Sequence, residues 1–300
     1  MDWIPTALDF LSDCVGPGYA PGTAAATEPT ALAALALTAH GRALDADKQL
    51  RALQSWQTTD GSLGVTEKEP HPQWPTTLAV IAWTKASTNP ALFQTSIGDA
   101  VNWLLQQQGE TIPPRADNIG HDTMLVGWPW VQGTHSWLEP TAFALLALKA
   151  AGKSDHPRAR EAAKLLADRL LPEGGCNYGN TFILGQQLRP HVQPTGLVML
   201  ALADEHIDDD RVAASLEFLN RELPKQRSAA SYAYAAMGLA AHRHAQTQAD
   251  ESQLDELATR ALEEEAPLRL ALLLLAVSGA NNPLYPSCVP SGGKQKATEQ

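Results

Sequence analysis

Four segments of this chain are versions of one another. They read EPTALAALALTAHG at Glu28 to Gly41, WPTTLAVIAWTKAS at Trp74 to Ser87, EPTAFALLALKAAG at Glu139 to Gly152 and QPTGLVMLALADEH at Gln193 to His206. Each carries Pro at its second position, which a helix tolerates in its first turn, where that N–H would have no partner anyway. An almost unbroken run of Leu, Ala, Val and Met follows. A helix that is apolar nearly all round must be buried on most sides. Several of them, alike, point to a repeat architecture with an inner layer.

Between the apolar helices lie segments of another kind. Asp47 to Trp56 places Leu50, Leu53 and Trp56 on one stripe and leaves Lys48, Gln49, Arg51 and Gln54 facing elsewhere. Trp3 to Leu11, Ile97 to Gln108, Arg158 to Leu171, Val212 to Leu223 and Leu254 to Glu264 have the same one-sided pattern. Ser228 to Ala241 and Leu268 to Ser278 complete the apolar set. Six amphipathic helices are thus each followed by an apolar one.

Six such hairpins can close on themselves, with an inner apolar ring and an outer amphipathic one. An open right-handed superhelix would need polar caps on its end repeats, and neither end pair has one. The expected fold is therefore all-α, an α/α toroid, as a single domain over residues 1–285 with a flexible tail over 286–300. Every long loop joins an outer helix to the next inner one, so all of them decorate one mouth of the ring. The other mouth is plain.

Composition removes several classes of function. The formal charge is -11 and no Lys/Arg-rich stripe is present, so no nucleic-acid partner is expected. The longest apolar run, Leu268 to Val277, contains Arg269 and is about half of a membrane-spanning length, so no membrane span is expected. The acidic opening MDWIPTALDFLSD does not resemble a signal peptide, and a cytoplasmic location is expected. Cys14, Cys176 and Cys288 lack the spacing of a disulfide framework or zinc knuckle. No cofactor is expected.

The decorated mouth collects the candidate chemistry. Glu28, Trp74, Glu139 and Gln193 are expected at the N-caps of the inner helices, although none is a favoured cap. Asp122 and Glu139 are the candidate acids. Trp74, Trp128, Trp130, Trp137, Tyr178, His191 and Tyr232 are the candidate ligand-contacting residues. Their aromatic faces suit an apolar ligand or a cationic centre, and equally serve to plug a narrow ring. His121, Asp122, His135, His191 and Cys176 offer zinc-type ligands, but no spacing joins them. Cys176 with His191 as nucleophile and base lacks an orienting third group. Asp208 to Asp210 falls at the plain end, where capping of the next helix accounts for it.

The segment LRALQSWQTTDGSLG at Leu50 to Gly64, with Gln57, Asp60, Gly61 and Ser62 in register, resembles the repeat of the prenyltransferase and squalene-cyclase superfamily. VNWLLQQQG at Val101 to Gly109 and LLADRLLPEGGCNYG at Leu165 to Gly179 are variants of it. The resemblance covers roughly Pro29 to Ala241 and implies an α/α toroid with its active cavity inside the ring. This chain departs from the family in two places. It has no Asp-x-Asp-Asp acid motif, and Cys176 is not preceded by the Asp of the prenyltransferase zinc site. Three functions stay open. One is an isoprenoid-directed, cyclase-like enzyme in which Asp122 or Glu139 supplies the proton. Another is a non-catalytic scaffold that binds an isoprenoid or other apolar small molecule, a peptide or a protein partner. The third is a carbohydrate-active toroid enzyme using paired carboxylates such as Asp122 and Glu139.

Overall fold

Two kinds of helix alternate along the chain, and their burial separates them without overlap. The computed structural model describes residues 1–113, 120–243 and 251–286. Cys288 and tail residues 287–300 lie outside that set. The amphipathic helices are α1 (Trp3–Asp13), α3 (Ala43–Trp56), α5 (Gln94–Gln106), α7 (Pro157–Asp168), α9 (Asp210–Glu222) and α11 (Glu251–Glu263). Their partners are α2 (Thr27–Ala39), α4 (Thr76–Lys85), α6 (Leu138–Ala150), α8 (Val192–Leu202), α10 (Ala229–Ala241) and α12 (Pro267–Val277). Leu32, Ala33, Ala34, Leu35, Ala36 and Leu37 in α2 have no exposed surface, so that helix is enclosed on every side.

The second set forms a closed ring. α2 packs against α4, α4 against α6, α6 against α8, α8 against α10, α10 against α12, and α12 returns to α2. The outer helices wedge into the grooves between neighbours: α3 touches α2 and α4, α7 touches α6 and α8, and α1 seals the seam between α12 and α2. The fold is an α/α toroid. Ala-rich inner faces keep the ring narrow. Where α8 meets α10 the backbones themselves touch, since a Cβ on Gly238 would stand 2.6 Å from the Gly196 carbonyl oxygen.

A device invisible in the hydropathy pattern fixes each long loop to its inner helix. The residue after the repeated Pro is always Thr. The Thr76, Thr141 and Thr195 hydroxyls accept the amides of Leu63 at 2.8 Å, Trp128 at 3.0 Å and Cys176 at 2.9 Å. Thr76 and Thr195 pass their own protons back to Gln73 and His191 carbonyls. Leu63, Trp128 and Cys176 are therefore one structural position, buried in all three repeats. The residue before it must be small: a Cβ on Gly127 would lie 2.3 Å from Thr141 Oγ1.

The outer ring is stitched by a second repeated contact. Outer-helix C-termini leave carbonyls without partners, and the next outer helix supplies a donor. Gln49 donates to the Leu11 and Cys14 carbonyls, Arg158 to Gln107, Arg211 to Leu170, and Gln253 to Leu223 and Gln226. Gln57, one of the residues carrying the family resemblance, works in the opposite sense and donates to Ser96 of the next helix. Within Asp208 to Asp210 it is Asp209 that caps α9, by accepting the Arg211 amide at 2.9 Å.

At the plain end the chain turns back after α12. Leu284 is buried and Tyr285 packs beside it against the core. A cavity of about 230 Å³ remains there, lined in part by Ile81, Leu146, Leu200 and Leu284. Lys149 stands at its edge, paired with Asp204 and Glu205. Among the described residues no helix is long and apolar enough to cross a membrane.

Replacing Thr141 with Val keeps shape but strands the buried Trp128 amide. Chemical denaturation should show a loss of about 1–3 kcal/mol, and an unchanged midpoint would contradict the clamp.

Candidate functional site

The residue before each repeated Pro sits one turn-position deeper than a cap. The N-caps are Ala26 for α2, Trp137 for α6 and His191 for α8, so Glu28, Glu139 and Gln193 are second residues of their helices. Trp74 precedes Pro75, after which α4 begins. The expectation that these four residues are caps is corrected by the loops. Each extended cap residue lies against a neighbouring loop, which satisfies first-turn amides through backbone. Thr27 N–H donates to Val65 at 2.9 Å and Leu138 N–H to Tyr178 at 3.0 Å, and Cys176 pairs with His191 as an isolated bridge. No side chain is needed for capping.

That leaves the four side chains to face the ring axis. Repeat equivalence puts Glu28, Trp74, Glu139 and Gln193 in one layer at the decorated mouth. One turn further in, on the same helix face, come Leu32, Leu78, Phe143 and Leu197, with Tyr234 of α10 at the corresponding depth. All five are buried. This mouth layer and the buried residues beneath it, of which Tyr234 carries a hydroxyl, form what is called the cup below.

The cup's electrostatics follow from its having two acids and no base. Burial pushes Glu28 up to about 7, and the Glu139 carboxylate adds to the rise, while the 2.8 Å hydrogen bond donated by Tyr19 opposes it. Burial also raises Glu139, against a 3.0 Å bond donated by Gln193 Nε2. Neither carboxylate has an ion-pair partner among the described residues. Tyr234 is held well above the usual tyrosine range by burial and then by both carboxylates. Tyr178, half in solvent, is raised by burial and by Glu139.

Aromatic rings form a track into the cup. Trp130 meets Trp74 edge-on at 4.8 Å, Trp74 stacks on Phe143 at 6.1 Å, and Phe143 meets Tyr234 at 6.3 Å. Tyr178 lies 5.0 Å from His191 on the rim. A narrow cleft between Trp74, Trp103, Trp128 and Trp130 opens beside the track.

Other candidate residues stand elsewhere. Asp122 is exposed in a turn in which its carboxylate accepts the Met124 amide and its own amide donates to Asp168 of outer helix α7. It is not brought together with Glu139; Glu28 is. Trp128 is buried as a loop plug, its Nε1 donating to Leu104 at 2.9 Å and its face under the Arg158 guanidinium at 4.1 Å. Trp137 flanks His135 at 4.6 Å on the rim. Tyr232 is buried near the start of α10.

The nucleophile pair does not form. Cys176 is fully buried, its thiol pushed up to about 12 and bonded to Thr195 at 3.6 Å, whereas His191 is exposed on the rim. His121 and His135 line a separate recess with Arg169, where burial and then that guanidinium lower both, His121 to about 4. Among the described residues no group of three or more His, Cys, Asp or Glu has metal-binding geometry.

Sequence reasoning places Glu28 and Tyr234 at this mouth but does not group them with Glu139. The signal was present: Glu28 and Glu139 occupy the same place in EPTALAALAL and EPTAFALLAL. Nothing local marks Tyr19, which arrives from the Gly- and Pro-rich loop before α2.

Comparison with known proteins bears on the fold. No protein-family profile and no curated protein sequence matches the chain. Among similar structures are a wild-type glycosidase, at 11% identity over 95% of this chain and 97% of that one with a TM-score of 0.62. An alpha-amylase from Clostridium perfringens aligns at 11% identity over 93% and 98%, with a TM-score of 0.61. An ent-copalyl diphosphate synthase from Streptomyces platensis aligns at 17% identity and a TM-score of 0.50, over 85% of this chain but 50% of the synthase. At these identities the likeness is one of fold.

The Glu28 shift has a stability consequence. The folded state holds that proton more tightly than the unfolded chain, so stability is greatest below about pH 4.5 as far as this group is concerned and falls as pH rises towards 7. The upper bound is roughly 3 kcal/mol, reduced by the partial exposure of the side chain. Denaturation at pH 5 and pH 8 should show a smaller difference for Glu28→Gln than for the parent chain. An equal difference would contradict the raised carboxyl.

Proposed function

We propose that the decorated mouth is the active site of a carbohydrate-active enzyme that cleaves glycosidic bonds. The observation that carries the reading is the carboxyl pair, Glu28 and Glu139, on α2 and α6, the inner helices either side of α4. Glycoside hydrolysis needs one carboxyl group that still has its proton near neutral pH and a second that is ionised. Glu28, pushed up to about 7, suits the first role. Its proton passes to the glycosidic oxygen as the C1–O bond breaks. Glu139, oriented by Gln193, takes the proton of the attacking water or bonds to the anomeric carbon itself, and the separation of the two groups decides between these courses. Trp74, Trp130 and Tyr178 offer ring faces for sugars at the rim.

An isoprenoid-directed reading has the aromatic track in its favour. Two physical points weigh against it. A carboxyl group raised by burial keeps its proton but is a weaker acid, suited to an acetal oxygen and poorly suited to an alkene. The plug formed by Leu32, Leu78, Phe143, Leu197 and Tyr234 also fills the axis where a polyene would lie. The likeness to glycosidases in fold is consistent with the carbohydrate reading.

Reducing-end release from a panel of α- and β-linked oligosaccharides tests it. Glu28→Gln and Glu139→Gln should each lower kcat by about 10²-fold or more, with Asp122→Asn unchanged. Full activity in either Gln variant would sink the assignment. So would no hydrolysis across the panel together with an isoprenoid that co-purifies with the chain.

A further inference from the structure

Arg169 is a buried cation held by little. It follows α7 directly and is 4% exposed. Its Nη1 donates to the Gly179 carbonyl, while its Nε has no hydrogen-bond partner among the described residues. The carboxylate of Asp168 stands 3.7 Å from that Nε and accepts the Asp122 amide. Arginines that brace the loops are used more fully. Arg158 also leaves its Nε without a partner, but it lies over the Trp128 ring and reaches oxygens of Gln107, Val126, Gly127 and Glu161. Arg211 grips Asp209 and the Leu170 carbonyl. A buried guanidinium is costly unless its donors and its charge are met.

The space beside Arg169 is a second, independent observation. The side chain lines a recess of about 190 Å³ together with Glu110, His121, His135, Ser136 and Asn180. Burial and then the Arg169 charge hold both imidazoles below their ordinary range, so at pH 7 they are neutral and each has a ring N–H to donate. The Thr181 hydroxyl, 3.3 Å from Nδ1, orients His121. Glu110 extends towards Gly133, where a Cβ would stand 3.9 Å from its Oε1.

From this geometry we infer that the recess is an anion site built for a single carboxylate. The Arg169 guanidinium supplies a positive charge and the planar fork that a carboxylate matches. The two imidazoles add neutral donors. Asp168 and Glu110 limit the negative charge that can enter, so a dianion such as phosphate fits less well than a monoanion. The recess shares Glu110, Ile112 and His135 with an open groove that passes Trp137 and Trp130. Trp130 in turn meets Trp74 in the cup. One ligand can therefore place its carboxylate at Arg169 and its body along the aromatic track. On the carbohydrate reading, on which this step rests, the substrate class is an oligosaccharide that carries a uronate residue. The formal charge of -11 opposes the approach of any anion, so the selectivity comes from the groups of the recess themselves.

NMR of the full chain with labelled histidine rings, titrated at pH 8 with glucuronate, glucose, acetate and inorganic phosphate, tests the site. Glucuronate should shift the His121 and His135 signals, leave His191 in place, and bind about tenfold more tightly than glucose or phosphate. Acetate should move the same two signals more weakly, which separates the carboxylate from the sugar that carries it. Arg169→Lys keeps a charge and a donor for Gly179, and should weaken glucuronate about tenfold by losing the fork. His121→Ala, which leaves Arg169 and its Gly179 contact intact, should weaken it several-fold; circular dichroism checks that both variants are folded. No glucuronate binding, equal binding of glucuronate and glucose, phosphate bound more tightly than glucuronate, or unchanged affinity in the folded variants would overturn the inference. Hydrolysis scored on neutral and uronate-bearing oligosaccharides keeps the two readings apart. Turnover without glucuronate binding sinks the carboxylate site and leaves the hydrolase, whereas glucuronate bound at the recess with no turnover of either kind does the reverse.

Discussion

Bonds from the long loops to the first turns of the inner helices on either side, by backbone to the preceding helix and through threonine to the following one, are the constraint on which the rest of this protein depends. A helix begins with amides that need partners, and most helices meet the need with a Ser, Thr, Asp or Asn side chain. Here the loop meets it. Val65 and Tyr178 carbonyls take the Thr27 and Leu138 amides, and Thr141 and Thr195 hydroxyls bind the loop from the other side. Acidic residues near the helix start are thereby released from capping. They are left inside a narrow ring where burial, more than the helix dipole, sets their protonation.

That release links the fold to the chemistry. Six hairpins close the ring, closure brings the second residues of the inner helices to a common axis, and two of those residues are Glu. Beneath them Leu32, Leu78, Phe143, Leu197 and Tyr234 are buried. Tyr19 and Gln193 hold the two carboxyl groups by neutral hydrogen bonds, which orient them without neutralising their charge. The plain end has the opposite character, with Lys149 tied to two acids and Leu284 folded over the inner ring.

The architecture was legible because its cause is periodic. Apolar runs after Pro, amphipathic runs between them and loops of unequal length report the ring, its two layers and its decorated end. Helix boundaries moved by a few residues: α3 begins at Ala43 instead of Asp47, although of its first four residues only Ala46 is buried and Leu44 is exposed. Site residues were less legible, for reasons particular to each. Asp122 sits beside the right loop but is turned outward by an Asx turn and Asp168, which no spacing foretells. Cys176 resembles a reactive thiol between glycines, yet it is the counterpart of Leu63 and Trp128, and only the common Thr clamp reveals this. Trp128 has the same explanation. Glu28 was recoverable from its alignment with Glu139.

A carbon-detected NMR titration of the glutamate side-chain carboxyls, assigned through Glu28→Gln and Glu139→Gln, tests the central claim most directly. The account predicts that Glu28 titrates near 7 and drops when Glu139 is made neutral, since part of its shift comes from that neighbour. A Glu28 carboxyl that titrates in the ordinary range of about 4.3, or one indifferent to Glu139, would contradict a coupled pair at the mouth.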